Sequence, residues 1–164
     1  MTLVGYTRPS RQKDIFYLST RLREADVLEL IDGDGSTPQE ALLSCYLYGK
    51  PSMTICKGDE TPVAMWGVTP EMNKIGRVWL LGSDELVNDR ALRLRFLREA
   101  KLHLETLFES YAVLWNCVDA RNQIHIRWLQ WMGFTFIAKH PNYGKHSLPF
   151  LEFCQTSPCA VPLL

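Results

Sequence analysis

The sequence contains no C-x-x-C pair and no apolar run close to the roughly 20 residues needed to cross a bilayer. It also has no net charge, because 18 Lys and Arg balance 18 Asp and Glu. The five cysteines are odd in number and widely spaced, which argues against a disulfide framework or a zinc site and indicates reduced thiols in a cytosolic setting. The beginning of the chain lacks the apolar core of a signal peptide, so we expect a soluble protein that is not secreted. Balanced charge gives no reason to expect sequence-specific nucleic-acid binding or attraction to a membrane surface.

What the sequence does contain is enough apolar material for one folded domain. It has 164 residues, of which 46% are hydrophobic. This length suits a single core. We expect one domain over residues 1–155 and a loosely ordered tail over residues 156–164, which contains two prolines.

Hydrophobic spacing and turn residues predict the order strand, one or two helices, three strands, helix, strand, helix, strand, strand. Thr37 and Pro38 favour a helix start and Gly49 a helix end, and Ser10 and Asn122 are further candidate N-caps. The predicted strands cover residues 2–7, 53–56, 62–68, 77–82, 113–118, 134–138 and 149–153, with Pro9 stopping the first and the longest helix over residues 90–110.

Strand 77–82, the long helix and strand 113–118 form a crossover, which requires the two strands to be parallel. The short turns between strands 53–56, 62–68 and 77–82 predict that these strands pair as antiparallel hairpins. The fold class is therefore α/β of the α+β kind, with a mixed sheet.

This order resembles the GNAT acetyltransferase fold, a largely antiparallel sheet with a central parallel strand pair, flanked by helices. Arg8-Pro9 followed by Asp14 is similar to the opening of GNAT first strands. The segment from Val118 to Asn122, followed by Ile126, Leu129 and Gly133-Phe134, is similar to the GNAT stretch in which the asparagine caps the helix against coenzyme A.

The chain also resembles the internal virion protein A-like family of short-tailed phages and prophages, whose members look like degenerate GNAT domains. The similar segments are Leu22–Asp26, Glu40–Leu42, Pro62–Val68, Trp79–Asp84, Asp119–Phe134 and Leu148–Phe150. The resemblance implies a virion component that is present in the host cytoplasm during assembly and then inside the virion, with other phage virion proteins as partners. It leaves the oligomeric state open.

The GNAT resemblance places candidate cofactor contacts at Leu81, Gly82, Arg90, Arg93 and Asn122. GNAT enzymes hold the cofactor pyrophosphate on a glycine-rich loop before the long helix, where backbone N–H groups can approach closely. Here residues 83–93 contain no glycine and three carboxylates, and Leu129 stands where GNAT enzymes often have a proton-donating tyrosine. We therefore expect no required cofactor, although acetyl-CoA remains possible.

Several residues could have either of two roles. Asp84 and Glu85 are candidate general bases, or a pair of acids that stabilises a helix N-terminus. Asn122 is a helix cap or a ligand contact, and His125 is a structural histidine or a base. No residues stand at metal-ligand spacing, so we expect no metal site.

The remaining candidates concern surfaces and the core. Cys117 is expected to be a buried, inert thiol, and the five tryptophans to be core residues, unless Trp128 or Trp131 is exposed and marks a partner-binding patch. The arginine-rich face of the long helix is the best candidate for contact with an anionic partner.

Three functions remain open: a phage virion or morphogenesis protein on a degenerate acetyltransferase scaffold without catalysis, an adaptor for other phage proteins, and an active acetyl-CoA-dependent N-acetyltransferase. The last would hold the cofactor phosphates with Arg90 and Arg93.

Overall fold

A computed structural model describes residues 5–159 of the chain. The first part of the predicted strand 2–7 and the last part of the predicted tail therefore lie outside the described residues. The elements are β1 (Tyr6–Pro9), α1 (Gln12–Ser19), α2 (Glu24–Gly33), α3 (Pro38–Tyr48), β2 (Ser52–Cys56), β3 (Pro62–Pro70), a 3-10 turn (Met72–Lys74), β4 (Ile75–Gly82), α4 (Asp84–Asn88), α5 (Arg90–Leu107), β5 (Val113–Asp119), α6 (Gln123–Met132), β6 (Thr135–Tyr143) and β7 (Leu148–Thr156).

The seven strands of residues 5–159 form one sheet in the order β1-β2-β3-β4-β5-β7-β6. All neighbours are antiparallel except β4 and β5, which are parallel and connected through α5. This confirms the predicted fold class and the crossover. The sequence was enough to predict the parallel pair. A strand, a long helix and a second strand within 45 residues can be connected in few other ways.

Helices cover both faces of the sheet. Helices α1 and α3 pack on one face, where Ile15, Leu18 and Leu42 contact Met65 and Leu81. On the opposite face, α5 and α6 pack on side chains that include Val68 and Leu114, which are fully buried. The layers hold β4 and β5 in the middle of the molecule, so the space between these strands is surrounded by structure on both faces.

Several predicted boundaries were wrong. Pro9 is part of β1 rather than its stop, which is possible because β1 is an edge strand and proline has no N–H to donate. Helix α1 is preceded by Arg11, not Ser10, and the long helix ends at Leu107. Asp89 separates the short α4 from α5 and caps α5. Strands β3, β6 and β7 are each longer than predicted.

The arginine and the aspartate of the GNAT-like opening form a buried pair. Arg8 donates two hydrogen bonds to Asp14, at 2.7 and 2.9 Å, and Thr54 of β2 donates a third at 2.9 Å. These residues tie β1, α1 and β2 together.

At the other end of the chain, β7 includes Thr156, and Ser157 N–H donates to the carbonyl of Ala112 at 2.8 Å. The division into a domain of residues 1–155 and a tail stays a prediction, and residues 160–164 lie outside the described part of the chain.

Candidate functional site

Strands β4 and β5 separate after a short parallel contact. Their backbones pair only from Ile75 to Arg77 and from Val113 to Trp115. Beyond this point the Asn116 side chain donates to the carbonyl of Val78 at 2.8 Å, in place of a backbone hydrogen bond. The space between residues 78–82 and 116–119, called here the β4–β5 gap, opens into a cavity of about 600 Å³. Both strands line this cavity, together with side chains of α2, α5 and α6.

The end of β4 is hydrogen-bonded to residues at the start of α2. The N–H of Gly82 donates to the carboxylate of Asp26 at 2.9 Å, and the carbonyl of Gly82 accepts from the N–H of Arg23 at 2.8 Å. The Arg23 guanidinium in turn donates to Asp26 at 2.9 Å. Both polar backbone groups of the last β4 residue are thus bonded to residues at the start of α2.

The end of β5 is hydrogen-bonded to a residue of the same helix. Glu29 accepts the N–H of Asp119 at 3.2 Å and the side-chain amide of Asn122 at 3.1 Å. Burial raises the pKa of Glu29 to about 8, and the nearby negative charge of Asp26 adds to the increase. A carboxyl group with this pKa can accept or release a proton near neutral pH.

Asn122 precedes α6 at the N-cap position, as predicted, but its side chain makes no capping hydrogen bond. Its amide oxygen instead accepts from Arg23 at 3.1 Å, and its amide nitrogen lies 3.2 Å from Nδ1 of His125. Burial lowers the pKa of His125, so the ring is neutral at pH 7. Because Asn122 donates to Nδ1, the ring proton is on Nε2. The five side chains of Arg23, Asp26, Glu29, Asn122 and His125 are called the gap network below.

The predicted phosphate contacts lie at the junction of α4 and α5. The Asp89 carboxylate accepts the N–H groups of Ala91 and Leu92, at 2.9 and 3.1 Å. The guanidinium of Arg93 donates to the carbonyl of Val87, and Arg90 is exposed. The amides at the start of α5 are therefore bonded to a carboxylate of the chain itself.

The two candidate bases lie in the first turn of α4. Asp84 is exposed, and Glu85 forms a 2.5 Å ion pair with Lys57. The structure brings Gly82 and Asn122 together around Asp26. Leu81 packs with Met65 in the cluster beneath α1 and α3 and also lines the cavity.

Sequence reasoning missed the α2 contribution to the site. Arg23 and Asp26 were named only as part of a segment that resembles the phage family, and Glu29 was not predicted to belong to the site. The available signal was a pair of acids three residues apart, which lie on one face of a helix. That signal is weak, because the same spacing is common on solvated helix faces.

The comparisons with known proteins fit this architecture. A sequence profile of the family described as bacteriophage T7 probable scaffold protein Gp13 matches residues 54–141, more than half of the chain. The chain belongs to this family. The matched part of this Gp13 family member contains β3, β4, α5, β5 and α6, and so both strands of the gap. No curated protein sequence matches the chain.

Solved structures of GNAT acetyltransferases share the fold of this Gp13 family member. The ribosomal-protein-S18-alanine N-acetyltransferase of Escherichia coli is 14% identical, with a TM-score of 0.69 and 98% of each chain covered. A GNAT-family acetyltransferase of Bacillus anthracis is 10% identical, with a TM-score of 0.70 over 96% of this chain and 97% of the other. The spermidine N-acetyltransferase of Vibrio cholerae, solved with CoA and spermine, is 8% identical, with a TM-score of 0.69 over 93% and 95%.

Two tryptophans of α6 were candidates for a partner-binding patch. Trp128 is buried, whereas Trp131 is 47% exposed, with Nζ of Lys101 3.5 Å from the centre of its ring. All five cysteines lie within the described residues and have free thiols, and Cys117 is half-buried rather than buried as expected. Within residues 5–159, none of the helices combines the length and the apolarity that crossing a membrane requires.

Proposed function

We propose that the protein is a phage virion or morphogenesis protein of the internal virion protein A type, which keeps the acetyltransferase scaffold and does not transfer acetyl groups. Membership of the Gp13 family supports the phage part of this proposal. The state of the β4–β5 gap supports the loss of catalysis. In the infected cell the protein would be in the host cytoplasm during assembly and later inside the particle.

The observation that carries the proposal is that side-chain carboxyl groups of α2 accept hydrogen bonds from the backbone N–H groups at the ends of both gap strands. Asp26 bonds Gly82 and Glu29 bonds Asp119. A cofactor arm that entered the gap as an extra strand would need these N–H groups as donors. It would have to displace two hydrogen-bonded carboxyl groups, one of which, Asp26, belongs to a buried ion pair.

The start of α5 supports the same conclusion. A pyrophosphate is stabilised at a helix N-terminus by free N–H groups and by the helix dipole. Here Asp89 already accepts two of these N–H groups and places a negative charge beside them. Arg90 could offset part of this charge, but Arg93 is bonded to Val87.

Partners would be other virion proteins, and two surfaces are suited to them. Trp131 is an exposed aromatic residue on α6, of the kind that is enriched where proteins bind one another. The exposed arginines Arg90 and Arg98 lie on α5 and could contact an acidic surface.

Calorimetry with acetyl-CoA tests the loss of catalysis. We expect no binding at micromolar concentrations and no acetylation of amines, with an active GNAT enzyme as the positive control for the assay. Micromolar binding together with turnover would contradict the proposal. The virion role is tested separately by mass spectrometry of purified particles and assembly intermediates, in which we expect the chain to be present. Its absence from both would refute that role.

A second candidate is an active acetyl-CoA-dependent N-acetyltransferase with an unusual cofactor site. The raised pKa of Glu29 beside the gap favours it, because a general base works best when its pKa is near the working pH. In this case Asp84 and Glu85 would not be needed as bases. Changing Glu29 to Gln should then abolish turnover, while Glu24→Gln, an exposed acid on the same helix, should not.

The phosphate contacts of this candidate can be tested independently. Changing both Arg90 and Arg93 to Ala should abolish cofactor binding, and an unchanged affinity would exclude these residues as the phosphate site.

A further inference from the structure

Three side chains with metal-binding atoms lie next to one another on β5, β7 and β6. Cys117 is opposite Glu152 in the pairing of β5 with β7, and Glu152 is opposite Ala138 in the pairing of β7 with β6. His140 follows Ala138 by two residues, so its side chain projects from the same side of β6. The thiol, one carboxylate oxygen and one imidazole nitrogen all lie within 4.8 Å of one another.

We propose that Cys117, His140 and Glu152 bind a divalent transition-metal ion, with Zn²⁺ as the best match. Sulfur, imidazole nitrogen and carboxylate oxygen are the donor types that Zn²⁺ takes from proteins. Mg²⁺ and Ca²⁺ prefer oxygen donors alone, so the thiol and the imidazole select against them.

The spacing of the donor atoms suits such an ion after small adjustments. Bonds of about 2.0–2.3 Å in a tetrahedron place donor atoms about 3.3–3.7 Å apart. Nε2 of His140 and the Glu152 carboxylate are now 2.7 Å apart, joined by a hydrogen bond, and must separate to admit the ion. The side chains can make this change by rotation, because the sheet register already fixes their backbones.

The surroundings leave room for a fourth ligand. The side chains of His140 and Glu152 are 41% and 27% exposed, so an ion can enter from solvent. Three protein ligands and one open position form a site in which water completes the tetrahedron. Cys117 lines the cavity of the β4–β5 gap, but the site uses no side chain of the gap network or of the start of α5, so the metal proposal does not require the proposed function to hold.

Titration of the reduced, full-length protein with Co²⁺, a spectroscopic substitute for Zn²⁺, tests the site. We expect one equivalent to produce a sulfur-to-cobalt charge-transfer band and the visible bands of a tetrahedral site, both of which Zn²⁺ removes by competition. Cys117→Ser should abolish the charge-transfer band, and His140→Ala should weaken binding at least ten-fold.

Two further variants make the outcome decisive. Glu152→Gln keeps an oxygen that can bond His140, so the fold should be retained while binding weakens at least ten-fold. Cys159→Ser removes an exposed thiol far along the chain and should bind Co²⁺ as the unmodified protein does. The proposal is overturned if no charge-transfer band forms, if the band survives Cys117→Ser, or if it disappears in Cys159→Ser.

Discussion

The carboxylate of Asp26 in α2 accepts the backbone N–H of Gly82, the last residue of β4, at 2.9 Å. In a continuous parallel sheet, the neighbouring strand would supply the partner for this N–H. Here β5 has already diverged from β4, and the start of α2 replaces it as the hydrogen-bonding partner of Gly82. Asp26 accepts the N–H of Gly82, and the N–H of Arg23 donates to its carbonyl. The protein thus closes the end of its own gap with a buried ion pair.

This arrangement predicts a large loss of stability for Asp26→Ala. The change leaves the Arg23 guanidinium, which is 6% exposed, without its charged partner and leaves Gly82 N–H without an acceptor. Breaking a buried ion pair in this way costs about 3–5 kcal/mol. Urea unfolding measures the difference. Glu24→Ala, an exposed acid in the same helical turn, should cost less than about 1 kcal/mol, and equal effects of the two variants would argue against the role of Asp26.

The sequence was sufficient for features that depend on local chemistry or on chain connectivity. Helix α3 starts after Thr37, which accepts the N–H of Glu40, and is followed by Gly49, as its residues indicated. The parallel pairing of β4 with β5 followed from the length of the crossover.

The candidate site could be predicted only in part, because its contacts join distant segments. Asn122 was recognised as a cap from its position, but its partners Arg23 and Glu29 precede it by 99 and 93 residues. Cap preference describes the local backbone and contains no information about such partners. The positions of Cys117, His140 and Glu152 depend in the same way on strand register, since no short motif connects them.

Glu29 predicts a dependence of stability on pH. Its pKa is about 8 in the folded protein and near 4.5 when unfolded, so between these values the folded state holds more protons. Stability should therefore fall as the pH rises from 5 to 8, by an amount on the order of 1–3 kcal/mol. His125 acts in the opposite direction because its folded pKa is lowered.

Comparison with Glu29→Gln separates these two effects. Urea unfolding at several pH values should show that the variant lacks the fall, since glutamine does not titrate. A variant with the same pH profile as the unmodified protein would show that Glu29 has an ordinary pKa.

Asn122→Ser distinguishes a helix cap from a member of the gap network. Serine is as good an N-cap as asparagine, so a capping role predicts almost no change. Serine is too short to bond both Arg23 and Glu29, so the network role predicts a loss of about 1–3 kcal/mol from the buried groups left unpaired. Asp89→Ser, at a position where the side chain does cap a helix, is the matched control and should change the free energy of unfolding little.

The buried pair of Arg8 and Asp14 predicts that the GNAT-like opening of the chain serves the fold. Asp14→Asn keeps the shape of the side chain but leaves Arg8 without a counter-charge, which should cost about 3–5 kcal/mol. Asp59→Asn, in an exposed turn, should change stability by less than about 0.5 kcal/mol.

The same pair has a defined response to acid. Burial alone would raise the pKa of Asp14, but hydrogen bonds from Arg8, Arg11 N–H and Thr54 lower it below its usual value. The stabilisation is therefore complete above the unfolded pKa of about 3.9 and is lost as the pH falls below it. Acid unfolding followed by circular dichroism should show this loss in the unmodified protein and a smaller one in Asp14→Asn, because the asparagine side chain has no proton to gain. If the stability of both proteins fell equally with pH, the pair would contribute no charge-dependent stability, and the arginine would be held by its neutral contacts alone.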